Sequence, residues 1–148
     1  MLYTLRYGLV LSLSLMMSGC ITLIGSPSEV EEPESYSIEH DGEDVVLDPS
    51  AEYDLSIVGD QNKISLKGNT REILITGSYN YVIIEEDTHV NAISITGMNN
   101  IVMNSDEQTL FVEELILSGS RNVITLDGYD ELLDSGEDNQ VLNTGSIE

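Results

Sequence analysis

Carboxylates are the one abundant reactive group in this chain, and any site would have to be built from them. They gather in Asp41, Glu43, Asp44 and Asp48, and again in Asp127, Asp130, Glu131, Asp134, Glu137 and Asp138. Oxygen ligands at short spacing suit Ca2+, and Gly128 and Gly136 give the second cluster loops able to wrap an ion. Neither cluster has the ligand spacing of an EF-hand or of a glycine-rich calcium nonapeptide. Solvated charge is therefore the simpler reading, with weak Ca2+ binding through Asp127, Asp130, Asp134 and Asp138 as the alternative; no other cofactor is expected. Catalysis has less to draw on. His40 and His89 have no Ser or Cys motif placed to complete a triad, and no pair of acids stands out as acid and base. The expectation is a protein that is not an enzyme, with a small carbohydrate-active enzyme as the least favoured reading.

The charge excludes other functions. The chain has 148 residues and a formal net charge of −22, with Arg6, Lys63, Lys67, Arg71 and Arg121 as its only bases. Such a surface repels nucleic acid, whose phosphates require clustered Lys and Arg. Those bases occupy no common position in the pattern described below. With one Phe, seven Tyr and no Trp, the core must be aliphatic, and Ile, Leu and Val favour strands. The length allows one domain.

Residues 1–19 carry Arg6 and no acid, then an apolar run from Leu9 to Met17, then Ser18-Gly19, which is the layout of a secretory signal peptide. Cys20 follows and is the only cysteine, so no intramolecular disulfide and no thiolate metal site can form. Met17-Ser18-Gly19-Cys20 resembles the lipobox of bacterial lipoproteins. The resemblance implies a diacylglyceryl group on Cys20, cleavage before it, and attachment to the membrane through lipid in the cell envelope, at the outer membrane if the host is Gram-negative. The alternative is that the uncharged stretch Tyr7 to Gly25 stays as a transmembrane anchor. Removal of Arg6 with the leader would leave four bases against 27 acids, a formal −23.

Residues 20–35 read as a flexible acidic tether, too poor in apolar surface to fold alone. Residues 36–54 read as an irregular N-terminal cap, with Val45-Val46-Leu47 as a capping strand. Residues 55–148 carry the informative pattern. The turn Gly-x-x-Asn recurs at Gly59/Asn62, Gly77/Asn80, Gly97/Asn100, Gly119/Asn122 and Gly136/Asn139, with glycines 18, 20, 22 and 17 residues apart. In the first four copies the positions four and two before glycine are apolar, and in all five the second after asparagine is Ile or Val. Period-two alternation on both sides of a turn means two short strands per copy, each with one inward face. Stacking buries those faces, so the expected fold is all-β, a small single-domain parallel β-solenoid of about five coils with a polar C-terminal cap.

Within this fold the glycines are expected at positive φ, and the asparagines as a stacked ladder. The segments Ile75 to Val82 and Ile95 to Val102 resemble bacterial exported proteins made of GxxN repeats whose domain has no assigned function. The resemblance implies the solenoid and no activity.

Two outward columns remain. Tyr81, Ile83, Ile101, Met103 and Val123 should face solvent as an apolar stripe, which suits a protein partner of the envelope unless a loop containing Leu110, Phe111 and Val112 covers it. Val58, Thr76, Thr96, Ser118 and Ser135 form a second, mostly hydroxyl column that ordinary β-propensity explains, with ice or sugar binding as a remote alternative. The expected role is a non-enzymatic, membrane-anchored structural or protein-interaction module, and the alternative is a Ca2+- or glycan-binding module acting through the acidic loops.

Overall fold

The computed structural model describes residues 33–105 and 109–144. The leader, Cys20 and nearly all of the tether lie outside them. Twelve short strands occur among the described residues: β1 (Glu34–Ile38), β2 (Asp44–Leu47), β3 (Tyr53–Ile57), β4 (Lys63–Leu66), β5 (Asn69–Ile75), β6 (Tyr81–Ile84), β7 (His89–Ile95), β8 (Ile101–Asn104), β9 (Phe111–Leu117), β10 (Val123–Leu126), β11 (Gly128–Asp134) and β12 (Gln140–Asn143). Odd strands form one parallel sheet in the order β1-β3-β5-β7-β9-β11, and even strands form the other, β12-β10-β8-β6-β4-β2. Each coil contributes one strand to each sheet, so the chain is an all-β parallel solenoid.

Alternation explains the two sheets. Leu55, Ile57, Ile64 and Leu66 of one coil are buried, as are Ile73, Ile75, Val82 and Ile84 of the next. In-register pairing stacks them, as in Leu55 with Ile73 and Ile73 with Ile93. Each buried Ile or Leu contributes about 1.5–3 kcal/mol, and the column as a whole forms one aliphatic core between the sheets. Asn104 occupies the inward position that Leu66, Ile84 and Leu126 fill elsewhere, and it donates to the carboxylate of Asp127 at 3.2 Å.

Two expectations need correction. The solenoid has six coils, because β1 and β2 form a complete coil within the stretch expected to be tether and irregular cap. Glu34–Ile38 pairs with β3 and Asp44–Leu47 with β4. Val45-Val46-Leu47 is thus half of a coil. Second, the turn glycines do not take positive φ. That conformation belongs to the third turn residue, Gln61, Tyr79, Asn99, Arg121 and Asp138, at φ of 56–61°. The glycines are needed for space: a Cβ on Gly97 would collide with the carbonyl oxygen of Gly77, and one on Gly119 with that of Gly97. Among the described residues no further coil stacks on β11 and β12, and the inward-type positions of this last coil, Leu132, Asp134 and Asn143, are exposed.

Candidate functional site

Two surfaces are built by the repeat itself: the column of turns at one corner, and the outer face of the even strands. The corner works by a polar relay. The Oδ1 of each asparagine accepts the backbone N–H of the asparagine one coil earlier: Asn62 to Asn80 at 2.9 Å, Asn80 to Asn100 at 2.9 Å, Asn100 to Asn122 at 2.9 Å and Asn122 to Asn139 at 3.0 Å. The Nδ2 of the same side chain donates to the glycine carbonyl of that earlier coil. Asn80 reaches Gly59, Asn100 reaches Gly77, Asn122 reaches Gly97 and Asn139 reaches Gly119, each at 3.0 Å. One amide therefore pins both ends of the turn before it, which satisfies buried main-chain groups that would otherwise cost about 1–3 kcal/mol each.

The relay changes at its first step. Asn62 Oδ1 accepts from Glu43 N–H at 2.7 Å, but its Nδ2 is buried without a hydrogen-bond partner among the described residues. Glu43 holds the position of asparagine in this coil and His40 that of glycine, because Ile38 aligns with Ile57 and Asp44 with Lys63. At the other end Asp134 Oδ1 accepts from Gly136 N–H and from Asn139 Nδ2, both at 3.0 Å, so a carboxylate of the same coil braces the last turn from within.

The outer face of the even strands carries the stripe. Tyr81 aligns with Ile101 and Ile101 with Val123, while Ile83 aligns with Met103 and Met103 with Thr125. No charged side chain interrupts these three strands at the outward positions. Lys63 and Ser65 flank them on β4, and Gln140 and Leu142 on β12. Tyr81 donates its hydroxyl to the sulfur of Met103 at 2.9 Å. Ile101 is exposed and the other four stripe residues are half-buried. The segment expected as a cover is used elsewhere: Leu110 and Val112 enter the core, and Phe111 lies against Gly128 on the odd sheet.

The carboxylates are dispersed or engaged. Asp127 accepts from Leu110 N–H at 2.6 Å and from the Thr144 hydroxyl at 3.0 Å, Asp134 accepts from Gly136 N–H and Asn139 Nδ2 of its own coil, and Asp130 and Asp138 are exposed. Among the described residues no group of three or more His, Cys, Asp or Glu side chains could hold a metal ion, so Asp127, Asp130, Asp134 and Asp138 do not form the calcium cradle that their spacing allowed. An open depression of about 630 Å3 is lined by Asp48, Lys67, Gly68, Glu85, Glu86 and Asp87. Another, of about 340 Å3, follows the hydroxyl column past Thr96, Ser118 and Ser135 beside Met98 and Ser120. Val58 and the hydroxyl residues of that column are exposed on the odd-strand side of the turns.

The spacing-based reading found the ten turn residues, but not His40 and Glu43, which break the motif at the first coil. The surrounding pattern marks that coil all the same, since Tyr36, Ile38, Val45 and Leu47 sit at the four positions that are apolar in its neighbours.

Comparison with known proteins finds one family model, and that family's function is unknown. The model of a family described as a protein of unknown function (DUF3060) matches residues 57–114, which run from the end of β3 into β9. Neither a curated protein nor a solved structure matches the chain. The chain is therefore similar, over the middle coils of its solenoid, to a family with no assigned function.

Proposed function

We propose that this chain is a non-enzymatic lipoprotein of the cell envelope, anchored through lipid on Cys20, whose solenoid serves as a structural or protein-interaction module. The observation that carries the anchoring is the order of its first twenty residues: a basic start, an apolar run, Met17-Ser18-Gly19 and the sole cysteine. An acyl anchor adds about 0.8 kcal/mol of membrane affinity per buried CH2, so two or more chains hold a protein firmly. The interaction role draws support from the uncharged outer face of β6, β8 and β10 in a chain of net charge −22.

Metabolic labelling with an alkyne fatty acid tests the anchor. Label on the intact chain and none on Cys20→Ala is the expected result, together with release of the variant from membranes. An unlabelled chain that still fractionates with membranes would replace the lipid by the transmembrane reading. For the module, a photo-crosslinker at Tyr81 or Ile101 is expected to capture a discrete envelope protein that one at Ser94, on the odd sheet, does not. Equal capture from all three positions, or none from any, would overturn the interaction role.

A further inference from the structure

The relay is directional. Each coil presents to the next a glycine carbonyl and an asparagine N–H, and the next coil answers with a glycine that leaves room and an amide that binds both groups. The last turn presents the same pair. Among the described residues the Gly136 carbonyl and the Asn139 N–H have no partner. An incoming parallel coil that accommodates the inward-type Asp134 and Asn143 could bind them only under two further conditions, both at the turn. Its residue at the glycine position must lack a Cβ, which would otherwise meet the Gly136 carbonyl as a Cβ on Gly136 would meet that of Gly119. Its residue at the asparagine position must both accept and donate.

The first coil of this chain fails on both counts. His40 carries a Cβ at the glycine position, and Glu43 offers a carboxylate that has no N–H to give. Charge adds to the mismatch, since Asp41, Glu43 and Asp44 would approach Asp134, Glu137 and Asp138.

We propose that the turn column has one open and one closed end: the Gly136–Asn139 turn accepts a parallel coil carrying Gly and Asn from another chain, while His40 and Glu43 bar a second copy of this chain from supplying it. The open end selects its partner by the turn motif, and the closed end keeps the protein from polymerising on itself. This inference stands independently of the lipid anchor and of the apolar stripe.

The test turns the chain into its own partner. Glu39→Cys and Ser135→Cys are introduced together into the full chain, because these positions share a place in the repeat. Stacked coils would bring them about 4.8 Å apart, within the roughly 4.4–6.8 Å that a disulfide spans between Cα atoms. Single-cysteine variants report any background from Cys20. Detergent-solubilised protein is oxidised in about 1 M NaCl, where a Debye length of about 3 Å screens the acidic ends. With His40→Gly and Glu43→Asn added, a ladder of cross-linked dimers and higher multimers is expected. The same cysteine pair in the parent chain, or with His40→Ala and Glu43→Asn, is expected to stay monomeric. Cross-linking in the parent would show that its first coil is not closed, and equal cross-linking with alanine would rule out the Cβ as the barrier. A variant with His40→Gly and Glu43→Asn that melts normally yet stays monomeric would show that the last turn accepts nothing. If that variant loses its melting transition, His40→Gly alone is used: several-fold more dimer than the parent is expected, and the parental level overturns the proposal.

Discussion

Asn100 holds the turn of the previous coil at both ends, its Oδ1 taking the Asn80 backbone N–H at 2.9 Å and its Nδ2 reaching the Gly77 carbonyl at 3.0 Å. Truncation to alanine leaves two buried main-chain groups unpaired, for a cost of about 3 kcal/mol or more. Asn62 is the internal control. Its Oδ1 has a partner in Glu43 N–H but its Nδ2 has none, so Asn62→Ala should cost about 1 kcal/mol or less. Denaturant unfolding of the two variants measures the gap, and equal losses would mean that the relay adds nothing beyond packing.

The turn glycines should differ sharply from Gly128. At Gly97 the obstacle is the backbone of Gly77, which cannot move without shifting a whole coil, so Gly97→Ala should cost more than about 3 kcal/mol. At Gly128 the neighbouring atoms belong to the exposed ring of Phe111, which can swing aside, and alanine there should cost less than about 1 kcal/mol. Thermal melting ranks the two, and the reverse order would refute close approach as the reason for the repeat's glycines.

What could be read in the sequence follows from which constraints leave a regular mark. Inward positions repeat because every coil must fill the same slot, and Ile73, Ile93 and Leu115 lie in one register. The turn spacing disclosed that glycine was required but not why, since a need for space and a need for positive φ select the same residue. Only the backbone separates them, and it places the strained conformation two residues later, where no residue type repeats. The first coil escaped a motif search because His40 and Glu43 differ from the motif, and they differ in the coil beneath which no other coil stacks among the described residues. Acid spacing misled in the opposite direction: Asp127 and Asp134 are hydrogen-bonded to the chain itself, which proximity in sequence could not show.

Tyr79 is the clearest strained position. It sits at φ of 61° with its side chain exposed, a conformation that costs a bulky residue about 1 kcal/mol or more and that asparagine tolerates better. Asn99 already occupies the equivalent site one coil later at φ of 56°. Tyr79→Asn should therefore stabilise the protein by about 0.5–1 kcal/mol. An unchanged or lowered melting temperature would show that the tyrosine ring makes contacts worth more than the strain.

Alkaline pH offers a probe of the second coil's core. Tyr53 is fully buried and donates its hydroxyl to the Lys67 carbonyl at 3.0 Å. Burial, helped by the charge of Asp48, raises its pKa above the ordinary 10.0 of a phenol. Because the folded pKa exceeds the unfolded one, the contribution of the neutral phenol is complete below pH 10.0 and is lost as pH climbs through the folded value, since the unfolded chain releases its proton first. The melting temperature should thus fall above that point, and Tyr53→Phe should flatten the fall while costing about 1 kcal/mol at neutral pH through the lost hydrogen bond. Tyr36 provides the comparison, because its pKa is raised chiefly by its hydrogen bond to Glu34 while its ring packs edge-on against Tyr53. If Tyr36→Phe flattened the alkaline fall as much as Tyr53→Phe, the exposed pair with Glu34 would govern it and the buried hydroxyl would not. If only Tyr53→Phe did so, proton release from the core would be what opens this end of the solenoid.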